Sequence, residues 1–186
     1  MNAPQNLRSI MKTNWENLTE GGFHKIFNHI DQLGIKQGVD RMGIDGFITH
    51  CARLAAGTGI ISGGGGALTM TIGLPFDLLN MITQQFRVTL GIIYNNRGSY
   101  KIDFDEFMTI VATSLQVEAG VAITKTMMER IAERILLRMG SKTATRLIPV
   151  VGGVIGGTAN YLFIKRVGES VKKMQPRYVP LTIHID

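Results

Sequence analysis

Residues 54–76 read LAAGTGIISGGGGALTMTIGLPF. These 23 residues carry no charged side chain, a length that in principle spans the hydrocarbon core of a bilayer. Seven of them are glycine, including the run Gly63–Gly66. Glycine costs about 1 kcal/mol against alanine inside a helix. A helix through this run must therefore be held by a very close contact, or it breaks there.

A second uncharged run, LIPVVGGVIGGTANYLFI, covers the 18 residues 147–164. Its glycines come as Gly152, Gly153 and Gly156, Gly157, four apart, which places small residues on one face of a helix. That pattern lets two backbones approach closely, in lipid or in a protein core. Gly63, Gly66, Gly73, Gly152, Gly153, Gly156 and Gly157 are thus the expected helix-packing residues.

The rest of the chain reads as helix. Phe23, Ile26, Phe27, Ile30 and Leu33 fall at helical spacing with polar residues between them, and Gly34 is a plausible stop. Gly38, Gly43 and Gly46 then divide the approach to the first run into short helical pieces. After Pro75, apolar periodicity continues to Tyr94, with Asp77 suited to a helix N-terminus. Asp103 is an N-cap candidate with Glu106 three positions later, starting a helix to about Val117. Another helix, from about Glu118 to Met139, ends at Gly140. Pro176 and Pro180 leave residues 175–186 as an extended tail. The fold class expected is all-α, a single helical domain with a central pair of glycine-rich apolar helices covered by amphipathic ones.

At 186 residues with 18% charged residues and 22 glycines, the chain suits one domain with ample apolar surface and sparse charge. The net charge of +6 is mostly dispersed and is not interleaved with aromatics, so nucleic acid is not an expected partner. One stretch is locally basic: Lys165, Arg166, Lys172, Lys173 and Arg177 oppose Glu169 alone. That excess suits an anionic membrane surface. Cys51 is the only cysteine, so there is no internal disulfide and no multi-cysteine zinc site. No apolar core of signal-peptide length occurs in residues 1–20, which favours cytoplasmic retention.

Catalytic and cofactor motifs fail on their details. A phosphate-binding loop needs Lys then Ser or Thr after its last glycine, and no lysine lies between Lys36 and Lys101. The dinucleotide fingerprint would need glycine where Ser62 stands. A calcium loop ending at Glu106 would place Arg97 at a ligand position and Tyr100 at the turn glycine. His24, His29, His50 and Cys51 form no pair with metal-ligand spacing. No cofactor is expected. The feature that remains is a polar stripe, Asp77, Asn80, Gln84 and Arg87, on an otherwise apolar helix. Glu118 and Asn160 are candidate companions in a polar groove, the one seed an enzyme would have.

Two stretches together resemble the EcsC family of bacterial proteins. The first runs from the glycine run through Gly73, Leu74, Pro75, Asp77 and Leu78 to Arg87 and Tyr94. The second holds Ile148, Pro149, Val150, Val151, Gly152, Gly156, Asn160, Tyr161, Lys165 and Arg166. The resemblance spans residues 54–174, leaving residues 1–53 as an amphipathic N-terminal region. It implies a helical protein of unestablished activity and without catalytic residues to carry over, in a family named for a gene found beside components of an ABC transporter. The function expected is thus a non-enzymatic accessory protein on the cytoplasmic side of the bacterial inner membrane, with anionic lipid and transporter components as partners. The alternative is a soluble helical interaction module that buries both glycine-rich segments in its core.

Overall fold

A computed structural model describes residues 21–30, 34–57, 76–117, 129–135 and 151–174. These form a single all-helical body of six helices, with no strand among the described residues. In chain order they are α1 (Phe23–His29), α2 (Ile35–Ala56), α3 (Phe76–Arg97), α4 (Phe104–Ser114), α5 (129–135) and α6 (Val151–Met174).

Three long helices, α2, α3 and α6, pack on one another and set the frame. On α2 and α3, Lys36 bonds Tyr94, Phe47 meets Arg87 and Gly91, and Asn80 reaches Leu54, so the two run antiparallel. On α2 and α6, Asp45 meets Lys172, Ile48 meets Gly168, and Ala55 meets Asn160, again antiparallel. It follows that α3 and α6 run parallel. Their N-termini lie at the same end of the body as the C-terminus of α2.

The most enclosed element is α3. Fifteen of its 22 residues are buried, far more than one amphipathic face requires. Its Phe86 is the hub of an aromatic cluster, 6.1 Å from the ring of Phe23 on α1 and 4.8 Å from that of Phe107 on α4. Phe27 completes it, 4.9 Å from Phe107. The apolar spacing of residues 23–30 thus does what an amphipathic stripe is for: it lays α1 against the core.

The glycines of α2 behave differently from the sequence expectation. The helix passes through Gly38 and Gly46 without a break; only Gly43, at φ 67° and ψ 167°, leaves helical geometry and kinks it. Gly38 is retained as helix because it is where Phe47 packs: a Cβ there would stand 2.6 Å from the ring. Gly34, at φ 62°, makes the left-handed turn into α2. The helix continues through Arg53 and Leu54, so the N-terminal region and the following core share one element.

Asp103 caps α4 as expected, its Oδ1 accepting the Glu106 N–H at 2.8 Å. The Glu106 side chain turns instead to Arg97, at 2.9 Å. The helix stops at Ser114, three residues before the expected Val117, and Gln116 takes φ 59° in the turn that follows. Gly63, Gly66, Gly73, Glu118, Arg177 and the tail 175–186 lie outside the described residues.

Candidate functional site: a polar relay at the end of α2

The last four carbonyls of an α-helix have no partner within it. For α2 this raises a specific need, because its C-terminus is packed between α3 and α6. Two asparagines meet it. Asn80 on α3 donates Nδ2 to Leu54 O at 2.9 Å, and Asn160 on α6 donates Nδ2 to Ala55 O at 3.1 Å. Beside them Gly157 lies against Ala56, so close that a Cβ would stand 2.7 Å from the Ala56 carbonyl oxygen.

The polar stripe of α3 continues from Asn80 as a relay. Gln84 Nε2 donates to Asn80 Oδ1 at 3.0 Å, and Arg87 Nη1 donates to Gln84 Oε1 at 2.8 Å. The Arg87 guanidinium also stands over the Phe47 ring, 5.4 Å from its centroid. Every amide in this line is oriented with its donor toward the α2 C-terminus and its acceptor toward the cation. Such alignment is favourable at the negative end of a helix dipole and strengthens each bond in turn.

The asparagine and glutamine amides of this line neither titrate nor act as nucleophiles. Asn80, Gln84 and Asn160 are buried, and their hydrogen-bonding groups are committed to carbonyls and to each other. Their geometry locks three helices together. Asp77 is half-buried in the first turn of α3.

The other expected residues are placed as follows. Lys165 Nζ donates to Thr49 Oγ1 at 3.3 Å. Lys172 is paired with Asp45 at 2.8 Å and Glu169 at 3.6 Å, and its hydrogen bond holds the Asp45 carboxyl below the usual carboxylate range. Arg166 and Lys173 are exposed. Gly152, Gly153 and Gly156 lie in the helical backbone of α6.

The histidines and cysteine have local explanations. The His24 ring stacks on Phe104 with centroids 3.5 Å apart, and His29 Nδ1 lies 2.8 Å from the Lys25 carbonyl. His50 keeps an exposed surface but is partly desolvated by its neighbours; that desolvation first, then the charges of Arg87 and Arg53, lowers its proton affinity. Cys51 is buried, and burial pushes its thiol up to about 11. Among the described residues no group of three or more His, Cys, Asp and Glu could hold a metal ion.

Sequence reasoning missed three glycines and one glutamine. Gly38 and Gly91 flank the Phe47 ring, and Gly168 receives Ile48, with a Cβ at 2.9 Å from its Cγ2. A lone glycine deep in an apolar helix, as Gly91 is, was the available signal. Gln85 is fully buried, and neither amide atom has a hydrogen-bond partner among the described residues. The sequence carries no sign of that.

Comparison of the chain with protein-family models, with curated proteins and with solved structures finds no match.

Proposed function

We propose that this chain is a non-enzymatic, membrane-associated accessory protein of the EcsC type, held at the cytoplasmic side of the bacterial inner membrane. Anionic lipid is its proposed surface, and transporter components are its proposed protein partners through the family resemblance. In this reading the two glycine-rich segments form a close-packed central pair covered by amphipathic helices.

One observation carries the proposal. The C-terminus of α2, where the first uncharged run begins, lies against the part of α6 that belongs to the second, through Ala55 with Asn160 and Ala56 with Gly157. Both uncharged runs are therefore attached to the same end of the body, and a single apolar region is the simplest use of that placement.

Fractionation tests it. The untagged protein should sediment with membranes at low salt; release by high salt indicates peripheral attachment and release only by detergent indicates insertion. Recovery in the low-salt supernatant would make the membrane reading wrong. It would favour the second reading, a soluble helical interaction module. Among the described residues no helix is long and apolar enough to cross a membrane. An enzyme near Asp77 and Arg87 is the weakest reading, because Asn80, Gln84 and Asn160 are engaged in holding helices together.

A further inference from the structure

Because α2 and α6 are antiparallel, charged residues can be placed by height above the end where Ala56 meets Gly157. At about 1.5 Å per residue, Arg53 stands about 5 Å and His50 about 9 Å up α2, while Lys165 and Arg166 stand about 12 to 14 Å up α6. Lys165 touches Thr49 of α2, which joins the two strips into one surface. His50, Arg53 and Arg166 are exposed.

The same stretches are free of acid. Neither 46–57 nor 157–168 contains Asp or Glu. On these two helices the acids Asp40, Asp45 and Glu169 stand higher, where Lys36 and Lys172 pair with them. On α3 this end has Asp77, with Arg87 further along. The short α5 carries Glu129 and Glu133 against Arg130 and Arg134, so it adds no net charge. Partial burial first, then the charges of Arg87 and Arg53, lower the proton affinity of His50, so the fields of the two arginines meet at this surface. The 18 residues 58–75, attached to α2 and α3 at this end, bear no charge.

We propose that the body docks on an anionic bilayer with the Ala56–Gly157 end foremost, Arg53, Lys165 and Arg166 meeting the headgroup phosphates. The inference rests on the membrane reading above and adds its orientation and its lipid class. An end poor in charge, with Asp77 on α3, below a belt of long cationic side chains matches the step from hydrocarbon to headgroup, which such side chains bridge by extending toward the charged layer. The paired Lys172 and the distant Lys173 are excluded from the contact. Lys173 stands about 24 Å up α6, about 10 Å above Arg166 and so about one screening length from the contact at ordinary salt.

The test is co-sedimentation of the full chain with vesicles of phosphatidylcholine alone and of phosphatidylcholine mixed with phosphatidylglycerol. The wild type should prefer the anionic vesicles. The double variant Arg53→Glu, Arg166→Glu should lose about thirtyfold or more in partitioning, and Lys173→Glu should stay within about threefold. Far-ultraviolet circular dichroism and an unchanged unfolding midpoint establish that each variant is folded. Should the glutamates impair folding, Arg53→Gln with Arg166→Gln replaces them, with the loss smaller but still confined to that pair. Equal loss in Lys173→Glu, or undiminished binding by the double variant, overturns the proposed orientation and leaves the membrane reading standing. Equal binding to both vesicle types overturns the anionic preference in the same way. No binding to either by the wild type overturns both.

Discussion

Asn80 and Gln85 are buried amides on the same helix, and replacing them with apolar residues is expected to act with opposite sign. Asn80→Leu strips the Leu54 carbonyl of its donor and Gln84 of its acceptor, and should lower stability by about 1–3 kcal/mol. Gln85→Met removes two polar atoms that have no partner among the described residues and should raise stability by on the order of 1 kcal/mol. Urea unfolding midpoints of the two variants check both signs. Cys51 gives a pH-dependent counterpart. Its thiol is raised from 9.0 in the unfolded chain to about 11 in the folded one, so the folded state holds its proton longer. Stability from this group is fully present below pH 9 and is lost as pH rises from about 9 to about 11. The unfolding midpoint of Cys51→Ala should fall less steeply than that of the wild type across that window, measured by denaturant titration at each pH.

Among the elements, α2 is the one whose glycines have three different duties. Gly34 turns the chain into it, Gly38 admits Phe47, and Gly43 kinks it. The Gly43 backbone lies in a region essentially reserved for glycine, so Gly43→Ala should cost about 1–3 kcal/mol although nothing stands within 4 Å of its added Cβ. Gly91→Ala on α3 should cost a similar amount, about 1–3 kcal/mol, for the opposite reason: its backbone is ordinary helix, but the new methyl would lie 2.7 Å from Phe47 Cε1. Combining Gly91→Ala with Phe47→Leu separates the two causes in thermal unfolding. The ring clash is relieved and the pair should be less destabilised than the sum of the single changes, whereas Gly43→Ala should add to Phe47→Leu without relief.

For the molecule as a whole the decisive contacts are those that draw α3 and α6 onto the C-terminus of α2. Gly157→Ala would drive a methyl into the Ala56 carbonyl oxygen, a backbone atom that no rotamer change can move aside. A loss of about 1–3 kcal/mol is expected, read from the denaturant midpoint. At the far end, Lys36, Asp40 and Tyr94 form a triangle of hydrogen bonds between α2 and α3, all at the solvent-facing surface. Exposed ion pairs contribute little, so this triangle sets register more than stability. Asymmetry along the body follows: a glycine-packed end whose helix carbonyls are capped and whose cations are exposed, and an opposite end where cations and carboxylates neutralise one another.

The all-helical class, the amphipathic lie of residues 23–30 and the cap at Asp103 were legible in the sequence alone. Each depends on local spacing: apolar residues at three and four, an acceptor three positions before an N–H. The centrality of α3, the continuity of α2 through Gly38 and Gly46, and the joining of Asn80 with Asn160 at adjacent carbonyls were decided only by tertiary structure. Local propensity scores a glycine as a break and a polar stripe as a solvated face. The Phe47 ring occupies the space that a side chain at Gly38 would need, and a helix-end carbonyl lying against the stripe keeps it buried. Such partners stand 26 residues away for Asn80 and 105 for Asn160, at separations that a spacing rule does not reach.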